Sequence, residues 1–129
     1  MSRIQSEQLA RRLAAVADSK KAEDLVAMDM RPLVAYTDFL VVCTARNERQ
    51  ARAIVDEVRI QVKRDLGLLP GGVDGAGEAG WTIVDYLDCV LHVFTPEARD
   101  RYQLEDLWRE APRLDLDLDA PEAPSAASA

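Results

Sequence analysis

Trp81-Thr82-Ile83-Val84-Asp85-Tyr86, then Leu87-Asp88, then Cys89-Val90-Leu91-His92-Val93-Phe94, then Thr95-Pro96-Glu97 follow one another with no spare residue between them. Two short runs rich in β-branched and aromatic residues flank a two-residue reversal, which is the pattern of a β-hairpin. Thr95 as cap and Pro96 at the first helical position then open a helix, expected to end near Leu104-Glu105-Asp106-Leu107-Trp108. Counting outward from a turn at Leu87-Asp88 pairs Asp85 with Val90, Ile83 with His92 and Trp81 with Phe94. Side chains alternate faces along a strand, so Thr82, Val84, Tyr86, Cys89, Leu91 and Val93 share one face. Trp81, Ile83, Asp85, Val90, His92 and Phe94 share the other. Leu-Asp suits a type I′ turn poorly, because that turn takes residues tolerant of positive φ, so a longer turn is the alternative.

Working outward, Leu9, Leu13, Val16 and Ala17 recur at helical spacing within Gln5 to Asp18, and Ser2 or Ser6 is the expected cap. Leu25 to Met30 and Phe39 to Thr44 read as strands, the second carrying Val41, Val42 and Cys43 together as a strand buried on both faces does. Ala51, Ile54, Val55, Val58, Val62 and Leu66 define a helix from about Asn47, its cap, to Gly67, its stop. A Gly-rich loop from Leu69 to Gly80 leads into the hairpin. The order α-β-β-α-β-β-α predicts an α/β single domain: a mixed β-sheet with helices packed against it.

The 129 residues suit one domain with one core. Residues 1–113 are taken as the folded domain, and residues 114–129 as a disordered acidic tail of Asp-Leu alternation followed by Ala, Pro and Ser. With 16 Lys and Arg against 23 Asp and Glu the net charge is −7, which argues against phosphate-backbone binding and for a basic partner. Cys43 and Cys89 lie in apolar runs outside any C-x-x-C pair and are expected as free buried thiols. No signal-peptide core and no apolar run of membrane-spanning length is present, which predicts a cytoplasmic protein.

Motifs for catalysis fare poorly. Gly75-Ala76-Gly77-Glu78-Ala79-Gly80 matches G-x-G-x-x-G, but it precedes a strand where a dinucleotide site follows one, and Asp74 and Glu78 repel a pyrophosphate. Asp85 and Asp88, three apart, point to opposite sides of a straight strand, which disfavours a shared Mg²⁺. His92 is the sole histidine, leaving at most a dyad with Cys43 across the sheet. No catalytic residue, metal or cofactor is therefore expected. The mixed hairpin face reads equally as a docking surface or as a core face with one satisfied His or Trp.

Thr37-Asp38-Phe39, Asn47-Glu48-Arg49-Gln50-Ala51-Arg52-Ala53-Ile54, Trp81 through Asp88, His92-Val93-Phe94-Thr95-Pro96-Glu97 and Leu104-Glu105-Asp106-Leu107-Trp108, in that order, resemble the ribosomal silencing factor family, RsfS or Iojap, over about residues 5 to 113. The resemblance implies a binder of the large ribosomal subunit through ribosomal protein fourteen (uL14), where it sterically blocks joining of the small subunit under nutrient limitation. It implies a docking surface of Trp81, Asp85, Tyr86, Asp88, His92 and Phe94 with Arg101, Tyr102, Leu104 and Trp108. Aromatic anchors dominate interface energetics, and carboxylates suit pairing with Lys or Arg. It also implies a nucleotidyltransferase-like topology, although the Gly-Ser and D-x-D or D-x-E motifs of those enzymes are lacking here. Leu87 stands where a Gly is common in the family, Arg101 replaces the first of two adjacent tyrosines, and Asn47 replaces a frequent Ser. The competing readings are a metal-dependent nucleotidyl or phosphoryl transferase and a homodimerisation module.

Overall fold

The structure, a computed structural model, describes residues 5–74 and 80–116. Its elements are α1 (Ser6–Ser19), β1 (Glu23–Asp29), β2 (Phe39–Thr44), α2 (Glu48–Leu66), β3 (Gly72–Asp74), β4 (Trp81–Asp85), β5 (Cys89–Phe94), α3 (Pro96–Tyr102) and α4 (Leu104–Leu107). The sheet order is β1-β2-β5-β4-β3, with β2 and β5 parallel and every other pair antiparallel. The mixed sheet expected from the element order is thus present.

Local chemistry explains the boundaries of α2. Asn47 Oδ1 accepts the Gln50 backbone N–H at 2.9 Å, satisfying one of the first-turn donors. Gly67 at φ +70 ends the helix by donating to Lys63 O at 3.0 Å, a backbone shape that costs glycine nothing. The start of α1 differs from expectation. Its N-cap is Gln5, with no side-chain cap bond, and Ser6 already lies within the helix; Ser2 lies outside the described residues.

Helices α1 and α2 cover one face of the sheet, where Leu9, Leu13, Ile54 and Val58 meet Phe39, Val41, Cys43, Leu91 and Val93. Each such side chain contributes about 1.5–3 kcal/mol on full burial, so this layer holds most of the stabilising free energy. The opposite face has a smaller core of Met28, Met30, Leu40, Val42, Phe94, Ala98, Leu104 and Ala111, covered by α3, α4, the chain that follows and Val34 of the loop of residues 31–38. That face is therefore left partly open.

Three further features depart from the sequence reading. Part of the Gly-rich loop is the edge strand β3, paired as Gly72 with Asp85, Val73 with Val84 and Asp74 with Ile83; Gly75 to Ala79 lie outside the described residues. The last helix breaks at Gln103, whose φ of +48 separates α3 from α4. Finally, the packed chain runs past the boundary at 113. Asp29 N donates to Pro112 O at 2.7 Å and Leu114 N to Ala27 O at 2.9 Å, so this segment straps the outer edge of β1. Leu114 and Leu116 pack against the α1–α2 core, and Arg11 Nη1 donates to Asp115 O at 2.8 Å. Residues 117–129, expected as the rest of the tail, lie outside the described residues.

Candidate functional site on the open sheet face

The hairpin register is the one counted from the turn: Trp81 opposite Phe94, Ile83 opposite His92 and Asp85 opposite Val90. Tyr86 N donates to Cys89 O at 2.9 Å, so the reversal is the two residues Leu87-Asp88. Leu87 has φ +73, and Asp88 N donates to Tyr86 O at 2.9 Å, closing a strained γ-turn around Leu87. Asp85 Oδ1 supports this turn by accepting Leu87 N at 2.7 Å. A glycine would hold that backbone without the Cβ penalty.

Trp81 organises the open face. Its ring lies 4.6 Å from the Tyr102 ring, 5.0 Å from Phe94 and 5.9 Å from His92, centroid to centroid. Such offset and tilted pairs stabilise beyond their area alone. Its indole Nε1 donates to His92 Nδ1 at 3.0 Å, which fixes the histidine with its own proton on Nε2. Burial pushes the His92 pKa down to about 4, with Asp85 opposing, so the ring is neutral near pH 7. The rings form tiers. Phe94 is fully buried and His92 and Leu104 nearly so, while Trp81 and Trp108 are half-buried and Tyr102 is 40% exposed.

The position of α3 and α4 beside Trp81 rests on Arg99. Its guanidinium donates to Glu105 at 2.6 and 3.1 Å, to Thr44 Oγ1 at 2.8 Å and to Asp24 O at 2.8 Å, tying both short helices to the ends of β1 and β2. Burial works to raise the Glu105 pKa, but the Arg99 hydrogen bonds and charge prevail and hold it below its usual value. At the start of β4, Gly80 has φ +71, and a Cβ built there would sit 2.3 Å from Thr95 Oγ1. Only glycine lets the strand carrying Trp81 pass so close to the cap of α3.

Of the ten residues expected at the surface, not all are surface. Tyr86 is corrected outright: it lies on the helix-covered face, 7% exposed in the core with Leu91 and Cys89, because strand alternation places it opposite Trp81. Its hydroxyl is buried with no hydrogen-bond partner among the described residues, and burial raises its pKa. Phe94, His92 and Leu104 support the exposed rings from below and offer little surface of their own. Asp85 is half-buried and Asp88 exposed at the turn tip; Arg101 is exposed and lines a depression with Arg46, Asn47 and Thr95, off to one side of the rings.

The structure adds a groove that sequence reasoning missed. About 430 Å³ in volume, it runs between the hairpin, Trp108 and the loop of residues 31–38, whose Tyr36 and Thr37 form one wall with Leu40. Met30 N to Asp38 O and Asp38 N to Asp88 O, both at 2.8 Å, close the base of that loop and fasten it to the hairpin turn. Tyr36 is 73% exposed, whereas Thr37 is 4% exposed and its Oγ1 has no partner among the described residues. The one signal for this wall was the Thr37-Asp38-Phe39 motif, but its placement depends on the parallel β2–β5 pairing of Leu40 with Val90 and Val42 with His92.

The Cys43–His92 dyad is not assembled. Cys43 faces the α1–α2 core while His92 faces the other way, so the two form no dyad. Burial pushes both the Cys43 and Cys89 thiols up to about 12, and both are free. Among the described residues there is no group of three His, Cys, Asp or Glu placed to hold a metal, and no helix is long and apolar enough to cross a membrane.

Fold and site together define a small mixed α/β domain whose half-open sheet face carries rings flanked by carboxylates. The family model described as ribosomal silencing factor during starvation, RsfS, matches residues 3–129. This chain belongs to the ribosomal silencing factor family. It is 38% identical over 105 residues to ribosomal silencing factor RsfS of Bacillus subtilis (strain 168), covering 81% of this chain and 88% of that one. The chloroplastic protein Iojap of Arabidopsis thaliana is 34% identical over 104 residues, covering 81% of this chain and 43% of that one. A crystal structure of a protein from Chromobacterium violaceum superposes with a TM-score of 0.77 at 26% identity, covering 82% of this chain and 88% of that one. One from Bacillus halodurans gives 0.71 at 32% identity, covering 84% and 98%.

Proposed function

We propose that this chain docks on uL14 of the large ribosomal subunit and, by the volume it occupies there, keeps the small subunit from joining, lowering translation when nutrients are scarce. The observation that carries this reading is the ledge of Trp81, Tyr102 and Trp108 on the sheet face that α1 and α2 leave uncovered. Half-buried rings held by neighbours lose little freedom on binding and fill partner pockets well. The net charge of −7 and the carboxylates of Asp85 and Asp88 complement a basic ribosomal protein, and family membership supplies the ribosome as the target. The reading places the protein in the cytoplasm and requires no cofactor and no catalytic step. A second copy is a candidate occupant of the same face away from the ribosome, and light scattering with and without uL14 measures that state.

The test adds purified protein to separated ribosomal subunits and measures how much whole ribosome re-forms. Wild type is expected to suppress re-formation, and Trp81→Ala and Tyr102→Ala to lose suppression and co-sedimentation with large subunits while remaining folded. Suppression that survives both substitutions refutes the docking face.

A further inference from the structure

The groove beside the ring ledge is lined by a threonine whose buried hydroxyl the folded chain itself leaves unserved. Thr37 is 96% buried, since only 4% of it is exposed, and its Oγ1 finds no partner among the described residues while lining the groove. Such an orphan costs the free protein the desolvation of a hydroxyl, a cost that a donor entering the groove would offset. Around it the walls are apolar, with Leu40, Val90 and Trp108, and one carboxylate, Asp85, stands at the side. Asp85 uses Oδ1 to hold the turn through Leu87 N, which leaves Oδ2 for a ligand. His92, at the groove floor, is neutral with Nδ1 committed to Trp81, so it brings no positive charge into the groove.

We propose that this groove is a receiving slot for one Lys or Arg side chain of the ribosomal partner, the alkyl stem lying along Leu40 and Trp108 and the cationic head donating to Asp85 and, on rotation of the threonine side chain about Cα–Cβ, to Thr37 Oγ1. The inference rests on the docking reading above and adds Tyr36 and Thr37 to the surface. A long basic side chain matches the mixture of walls, because its stem buries against apolar atoms while its head needs acceptors. An acidic occupant meets Asp85 unpaired, and a purely apolar one leaves both acceptors desolvated.

Affinity for purified large subunits is measured across a KCl series, beside thermal stability, for wild type, Thr37→Val, Asp85→Asn and Trp81→Ala. Asp85→Asn keeps Oδ1 for the turn and removes only the charge. It is expected to weaken binding about tenfold or more and to flatten the salt dependence. Thr37→Val is expected to weaken binding several-fold with an unchanged or raised Tm, since it deletes an unpaired buried hydroxyl. A Thr37→Val that loses stability and affinity together marks a merely structural threonine and overturns the proposal. So does a loss in Asp85→Asn with the salt dependence of wild type, which means an uncharged occupant. If Trp81→Ala weakens binding while both slot variants bind as wild type does, the docking face stands and the slot is refuted; if wild type does not bind large subunits, both readings fall.

Discussion

Lowering the pH should destabilise this domain through a single group. His92 is the sole histidine of the chain, and burial holds its pKa near 4 in the folded state against 6.5 for a free side chain. A folded-state pKa below the unfolded one means the unfolded chain binds the proton first, so the contribution is complete above about pH 6.5 and is lost as pH falls toward 4. The full difference corresponds to about 3 kcal/mol, of which roughly 2 kcal/mol is gone by pH 5. Geometry gives the same sign. Protonated His92 carries N–H on both ring nitrogens, so Nδ1 no longer accepts from Trp81 Nε1 and two donors face each other at 3.0 Å. Carboxylates held low, such as Asp29 and Glu105, begin to contribute only below about pH 4.5, which leaves the interval from 6.5 to 5 to histidine. Urea denaturation at half-unit steps from pH 7.5 to 5, on wild type and His92→Phe, reads the effect directly. Wild type is expected to lose about 2 kcal/mol over that interval, a Tm fall on the order of 5–10 °C, while His92→Phe begins less stable but gives a flat profile. A flat wild-type profile, or a slope that persists in the variant, refutes the reasoning.

Gly80→Ala places a Cβ within 2.3 Å of Thr95 Oγ1 at φ +71 and is expected to cost at least about 2 kcal/mol in urea denaturation, with Trp fluorescence altered because β4 begins there. Arg99→Met takes from the half-buried Glu105 its hydrogen-bonded ion-pair partner, leaving only the more distant charge of Arg113, and should destabilise by about 1–3 kcal/mol, with Arg99→Met/Glu105→Gln recovering part of the loss; a double variant no better than the single one contradicts the ion-pair account. Tyr86→Phe removes a buried unpaired hydroxyl, so stability should hold or rise by about 1 kcal/mol and large-subunit binding should stay at the wild-type level, as a core residue requires.

Sequence carried the fold where local chemistry set it. Turn counting placed Trp81 opposite Phe94, and Asn47 and Gly67 marked both ends of α2, because caps and alternation are written in neighbouring residues. Strand β3 escaped notice since Gly72, Val73 and Asp74 are all exposed and carry no apolar alternation. The break at Gln103 lacked the Gly or Pro that ordinarily announces a positive φ or a helix stop. At Leu114 and Leu116 the Asp-Leu alternation read as tail composition was in part a strand-like period, two leucines turning inward against the core. Tyr86 shows a different failure. Alternation alone had set it beside Cys89 and Leu91, and the family resemblance drew it onto the wrong face. The Tyr36–Thr37 wall needed the long-range pairing of β2 with β5, which no local pattern contains.

The strap at Pro112 to Leu114 also governs how copies of this protein behave toward one another. A sheet with bare rims offers unpaired amides and carbonyls on which foreign strands can grow. Here one rim is spoken for by the chain's own return, through Ala27, Met28 and Asp29, and the other, among the described residues, is the three-residue strand β3. A fragment ended at Ala111 would strip that protection from β1 and is expected to convert a well-behaved domain into one that clumps on storage, before any loss of the ring ledge is felt.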